Sequence, residues 1–474
     1  MTRSTLITLE HRAGCTAKRN RGDASRTRSE EGVGWGPATD ERRSNAPQIR
    51  GLASVRNLFG ALVALVVISA TPSRSYAQSS RARFKLEAVQ GILAVQALDG
   101  WLLYGRRNQN PIANELVHPD GTPTRPWYYL IPTKGQPVML VHASESASFK
   151  HVPGRKIEYT GHRNLRAGLR KVLRGMHRVA MEYAPKSNIP SLTRVDAGTI
   201  RHVRSYGVKI RSSAQLVQFT KSIWRPAGRI SHYIAAHHLD MLRQDALAFV
   251  KKRLAAGNSV TEYEVQQRIM RGYKVRGLTG PAATVASGEN TADPRYVPSA
   301  TKSRTIAKGD LLLLDLAAKL AGAKRSIYAE VSWMAYVGAK VPERYTKMFK
   351  VVAGARDAAI AFITKRVKRR RAIKGYQADQ VARSFIGKAG HAAAFIQRTG
   401  HSIDTDIDGD GANLDDFETH DTRNLVVGAG FSVEPGVYFK NQYGLRSGAN
   451  VHLARGTVEV TTRLQHAITP LLVK

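Results

Sequence analysis

The chain has 474 residues, 42% of them hydrophobic, enough for two domains with sizeable cores, which excludes a disorder-dominated chain. Its formal charge of +37, from 73 Lys and Arg against 36 Asp and Glu, predicts attraction to polyanions but does not name a partner. Cys15 is the single cysteine and precedes the segment expected to be cleaved, so disulfide and thiolate chemistry are excluded from the mature chain.

Residues 1–50 are rich in Arg, Ser and Gly with little apolar periodicity, as in a disordered leader. Arg56, the apolar run Leu58–Ala70 and the small–x–small triplet Ser75-Tyr76-Ala77 follow, and predict a signal peptide over 51–77. The mature protein is therefore expected to be exported, periplasmic or extracellular. The alternative is a retained membrane anchor, for which 13 apolar residues are short. Residues 1–77 hold 12 basic and 6 acidic residues, or +6, so the remaining +31 belongs to the folded part.

From Phe84 to about Trp224, short apolar segments such as Gly100–Tyr104, Trp127–Ile131, Pro137–Val141 and Val179–Tyr183 alternate with helical patterns at Asn164–Leu173 and Ile200–Tyr206. This predicts an N-terminal α/β domain over 85–225. A second domain over 230–474 opens with longer helices at about Ser231–Leu254 and from Thr261, whose spacing to Glu264 gives a capping box. Strands are expected at Ala282–Ser287, Asp310–Ala317 and Ile327–Val337, then helices at Glu343–Arg371 and Gln377–Lys388, then strands at Ala394–Arg398, Gly430–Phe439 and Asn450–Leu453. The overall class is α/β (α+β). The run Lys365–Arg371 reads either as a solvated helix end or as a polyanion dock.

Asp315 sits inside the apolar run Leu311–Ala317, and Glu330, His401 and Glu434 recur in similarly apolar surroundings. A carboxylate among leucines is almost always paired, protonated or metal-bound. Asp315 alone could be a paired structural charge; the four together favour a metal. A second metal signal is the run Asp404, Asp406, Asp408, Gly409, Asp410, with Asp415 at the twelfth place, which reads either as a calcium loop or as a solvated acidic loop.

Tyr328–Gly338 (YAEVSWMAYVG), Arg398–Ile403 (RTGHSI) and Phe431–Tyr438 (FSVEPGVY), with Gly288–Tyr296 (GENTADPRY) and Glu418–Asp421 (ETHD), resemble the Xaa-Pro aminopeptidase and prolidase family of metallopeptidases. That family shares the pita-bread fold with methionine aminopeptidase and creatinase. The resemblance covers roughly residues 85–474. It implies a creatinase-like N-terminal domain, a divalent metal (Mn, Co or Zn), a proline-containing peptide substrate and a homodimer, with no specific nucleic acid.

The family holds two ions with two aspartates, a histidine and two glutamates. Asp315, His401 and Glu434 match three of these positions, Glu330 stands where the second aspartate is expected, and Gly448 replaces the last glutamate. Near the substrate, Arg295, Gln397 and Asp408 stand where the family has histidines, while His420 and Arg446 are retained. With one bridging carboxylate missing, one ion is expected rather than two. The predicted metal ligands are thus Asp315, Glu330, His401 and Glu434, and the predicted catalytic set is Glu434, Asp408, Arg295, His420 and Arg446. The expected function is a metal-dependent peptidase of Xaa-Pro type with weak or altered activity; the alternative is a catalytically inactive homologue that binds or scaffolds.

Overall fold

The structure, a computed structural model, describes residues 86–472. The expected leader, signal peptide and Cys15 lie outside the described residues. No helix of the described residues is long and apolar enough to cross a membrane.

Helix α1 (Leu86–Val95), strand β1 (Gly100–Gly105), helix α2 (Pro111–Val117) and strands β2 (Trp127–Pro132), β3 (Val138–His142) and β4 (Arg155–Tyr159) lead into helix α3 (His162–Val172). Strand β5 (Arg178–Met181), helix α4 (Ala197–Arg204) and strand β6 (Lys209–Ser212) complete a mixed six-stranded sheet in the order β4-β3-β2-β1-β5-β6. The central strands β1 and β2 are buried along their whole length, which explains their unbroken apolar runs.

Glu182, at the end of β5, is fully buried and accepts hydrogen bonds from Trp101 Nε1 (2.7 Å) and Asn110 Nδ2 (2.8 Å), tying β1 and α2 to β5. Burial raises its carboxyl from 4.5 to about 7 against the pull of these donors. The folded state therefore holds this proton more tightly than the unfolded chain does. The resulting stability is complete below pH 4.5 and is lost as pH rises through 7, by about 3 kcal/mol. Denaturant melts of wild type and Glu182→Gln at pH 4.5 and 8 should diverge by that order. Parallel pH dependences would show that the carboxylate is not held neutral.

Helix α5 (Pro226–Ala255) and helix α6 (Glu262–Val275) come next. The capping box expected at the start of α6 is formed, with Glu264 N donating to Thr261 Oγ1 and Thr261 N donating to Glu264. Strands β7 (Leu278–Thr279), β8 (Thr284–Ser287), β9 (Leu311–Leu320) and β10 (Ala329–Tyr336) form a sheet with the short β17 (Thr469–Pro470). Helices α7 (Glu343–Lys368) and α8 (Gly375–Lys388) are followed by β11 (Ser402–Ile403), β12 (Gly430–Val433), the hairpin β13 (Gly436–Phe439) and β14 (Tyr443–Arg446), β15 (Ala449–Ala454) and β16 (Thr457–Val460).

Two expectations need correction. The strand expected at Ala394–Arg398 is instead a 3-10 turn at Ala392–Ala394 followed by irregular chain. There the guanidinium of Arg383 donates to the carbonyls of Phe395 (3.0 Å) and Gln397 (2.6 Å), taking acceptors that a strand would offer to a neighbour. The single strand expected over Gly430–Phe439 is two, because Pro435 has no N–H to give to a ladder.

Candidate metal centre

Strand alternation builds one wall of the site. Leu312, Leu314 and Leu316 of β9 join the core formed with α5 and α6. Asp315 therefore points to the other face, as do Glu330 and Ser332 of β10, whose neighbours Val331 and Trp333 join that same α5/α6 core. Ser332 lies opposite Asp315 in the antiparallel register and its hydroxyl donates to Asp315 Oδ1 (2.9 Å).

The second wall comes from β12 and the segment before β11. Phe431 and Val433 enter the core against α7 and α8, leaving Ser432 and Glu434 on the opposite side. His401 N donates to Ser432 Oγ (3.0 Å), Ser432 N to the His401 carbonyl (2.8 Å) and Glu434 N to the Thr399 carbonyl (2.7 Å). This approach is so close that a Cβ on Gly400 would lie 2.0 Å from the Ser432 carbonyl oxygen, so position 400 must be glycine. Thr399 is in turn fixed by the fully buried Asp379, which accepts from its N–H (2.9 Å) and hydroxyl (2.6 Å).

Together these strands gather Glu330, His401 and Glu434, with one potential ligand atom from each within 4.8 Å of the others. His401 Nε2 lies 3.0 Å from Glu434 Oε1 and 3.4 Å from Glu330 Oε2. The side chains retain only 8%, 11% and 12% exposure for His401, Glu330 and Glu434, so the site is recessed but reachable. Glu330 Oε2 and Glu434 Oε2 are buried and accept no hydrogen bond. Two buried carboxylate oxygens without donors are costly, and a divalent cation satisfies both. One imidazole and two carboxylates form a donor set that suits Mn, Co or Zn with room for solvent. The residues present therefore fit one ion.

The electrostatics agree. Burial, reinforced by the negative charge of Glu434, pushes Glu330 up to about 7. Glu434 falls to about 2, because its hydrogen bond to His401 and the charges of His401 and Arg446 together outweigh its own burial. His401 is raised well above its usual value, the two glutamates overcoming its burial. A proton shared within the cluster supplies positive charge that a metal would otherwise provide.

Asp315 stands beside the cluster, paired with Arg446 Nη1 and Ser332 rather than facing His401. Arg446 also lies 3.8 Å from Glu434 Oε2, and its Nε donates to Tyr438 Oη (3.0 Å), which donates to Gln397 Oε1 (2.9 Å). Gly448 adjoins the site: a Cβ there would meet Ser332 Oγ at 3.1 Å and Glu434 Cβ at 3.4 Å. Asp408 is at the rim, bound by Arg398 and 3.9 Å from His401 Nδ1.

The other expected residues lie apart from this cluster. His420 is about half exposed, pairs with Asp416 at 2.5 Å and packs against Tyr376. Arg295 is exposed on the loop whose Pro294 carbonyl accepts weakly from Arg446. The calcium reading fails on geometry, because the loop's carboxylates diverge. Buried Asp404 accepts from the N–H groups of Asp406 and Asp410, Asp410 pairs with Lys221, and Asp408 pairs with Arg398. Lys221 also reaches Glu115 of α2 at 2.7 Å. Sequence reasoning missed the supporting residues Ser332, Ser432 and Asp379, as well as Asn450, whose Oδ1 accepts from Glu330 N (2.7 Å). Ser332 and Ser432 sit inside the YAEVSW and FSVEPG segments, one strand period from a carboxylate, and that spacing was the available signal.

This arrangement of strands is the pita-bread fold, with a candidate metal centre between its two walls. Residues 224–455, just under half of the chain, match metallopeptidase family M24, and the fold is that of the prolidase-like pita-bread enzymes. An Xaa-Pro dipeptidase of Lactobacillus delbrueckii subsp. lactis is 29% identical over 200 residues, which are 40% of this chain and 48% of the relative. The chain thus spans about half the length of the relatives it matches. Among solved structures, dipeptidase PepE of Mycobacterium ulcerans superposes with a TM-score of 0.59 at 19% identity, covering 81% of this chain and 96% of that one. An Xaa-Pro dipeptidase of Bacillus anthracis gives 0.55 at 19% identity, covering 81% and 99%.

Proposed function

We propose that the protein is a metal-dependent peptidase of Xaa-Pro dipeptidase or aminopeptidase type, working with one divalent ion and turning over slowly. The observation that carries this reading is the convergence of Glu330, His401 and Glu434, with two of their oxygens lacking donors. A bound ion would polarise the scissile carbonyl and make water a better nucleophile. With no ion bound, Glu434 is held down at about 2 and Glu330 is pushed up to about 7, so ligation of an ion would displace the proton held at Glu330. On the side of Asp315, Arg446 and Tyr438 form a chain of hydrogen bonds that runs from Asp315 to Gln397 and fixes that wall of the site. Gln397 and Arg295 cannot exchange a proton near neutrality, and this motivates the expectation of slow turnover.

The second reading, a binding protein without turnover, is favoured by Gly448 and by the commitment of Asp315 to Arg446. Hydrolysis of an Xaa-Pro dipeptide with added Mn separates the two. Slow release of proline that chelator stops supports the peptidase; peptide binding with no release supports the second reading. The same proposal includes export after Ala77 and a homodimer. N-terminal sequencing of the secreted protein and its mass in solution test these, and a retained Met1 or a monomer would refute them respectively.

A further inference from the structure

The charge of this chain is unevenly placed. Residues 160–212 hold twelve Lys and Arg against two acids, whereas 213–474, five times longer, hold 39 against 22. Of the two acids in the first stretch, Glu182 is buried beneath Trp101 and Asn110, and Asp196 caps α4 by accepting from Thr199 N (2.8 Å), so a single exposed carboxylate stands against twelve cations. Helices α3 and α4 lie on the same face of the six-stranded sheet, where Leu169 and Val172 of one and Ile200 and Val203 of the other share a core. Tyr206 Oη donates to the Arg166 carbonyl and links the two helices.

On the outer side Arg163, Arg166 and Arg170 of α3 recur at helical spacing, Arg174 follows in the next turn, and Arg201 and Arg204 continue the surface on α4. All six are exposed. Among the described residues none of them has a carboxylate partner. Successive guanidiniums on α3 are about 5 Å apart along the axis.

We propose that this face of the N-terminal domain binds a linear phosphate polymer, reading its backbone charge and nothing else. Guanidinium forks match phosphate oxygens two at a time, which a row of ammonium groups would not do. The tyrosines of the face are half-buried and each already has a guanidinium over one side of its ring, Tyr206 from Arg170 at 5.8 Å and Tyr183 from Arg204 at 5.4 Å, which makes them poorer platforms for a base than a free ring. A bilayer is the poorer occupant, because none of the exposed large hydrophobic residues falls within 160–212 to insert into lipid.

The test uses the full chain and labelled inorganic polyphosphate, with affinity measured across a salt series. The triple variant Arg163→Glu/Arg166→Glu/Arg174→Glu should weaken binding at least about tenfold and reduce the log–log salt slope by about 3. The charge-matched triple Arg369→Glu/Arg370→Glu/Arg371→Glu, at the other basic run, should change binding by less than about threefold. If the first triple melts early, Arg163→Gln/Arg174→Gln should lower the slope by about 2. Equal losses from both triples would mean that net charge alone is responsible and would overturn the proposal. So would tighter binding to oligothymidylate or to phosphatidylglycerol vesicles than to polyphosphate.

Discussion

Replacing His401 with alanine is expected to lower Mn affinity more than about 100-fold and to stop Xaa-Pro hydrolysis, since residues merely supporting a ligand are worth about 10–100-fold. The imidazole is the one neutral-capable donor among the three, and without it Glu330 and Glu434 face each other with no cation between them. Like charges so placed repel, so the variant should also bind protons more readily at that site. His420→Ala is the matched control. That ring pairs with Asp416 at the surface, and its loss should leave metal affinity within about threefold of wild type. Titration calorimetry of both variants with Mn decides the matter. A His420→Ala protein that lost metal while His401→Ala kept it would reverse the assignment.

Gly448→Glu is expected to have the second largest effect, in the opposite direction. The position faces the cluster, and a new Cβ would come within 3.1–3.4 Å of Ser332 and Glu434, tight enough that Ser332 must shift slightly to admit it. A carboxylate there adds negative charge beside Asp315 and Glu434, which favours a second cation. Asp315 already has a countercharge in Arg446, so the ion must compete with a guanidinium. The predicted outcome is a rise from one ion toward two per chain and about tenfold faster turnover, equal to about 1.4 kcal/mol of barrier. Gly448→Gln, of the same shape but uncharged, should give neither change. If glutamate and glutamine behaved alike, the missing charge would not be what limits the site.

Much of this site was legible in the sequence because strand alternation is a strict rule. A carboxylate inside LLLLDLA must point away from the leucines around it or be paired, and Asp315 does both. The TGH and EPG segments marked His401 and Glu434 because backbone chemistry demands glycine at 400 and breaks the strand at Pro435. What stayed hidden depended on partners remote in sequence. Nothing local to Ala394–Arg398 shows that Arg383 will take its carbonyls, and nothing in the aspartate run shows that Lys221, 189 residues away, will claim Asp410. The edge strands β4 and β6 escaped notice for a different reason. They are short, charged and only partly buried, so they lack the apolar signal of the strands between them. The side-chain direction of His420, which pairs with Asp416 and packs on Tyr376, was not legible, because a motif match fixes chain position only.

The most direct measurement is the metal content of the purified protein after equilibration with Mn and removal of free ion. One ion per chain in wild type, lost in Glu434→Ala, is the predicted result. An ion-free wild-type protein, or an ion that survives Glu434→Ala, would contradict a centre built on Glu330, His401 and Glu434.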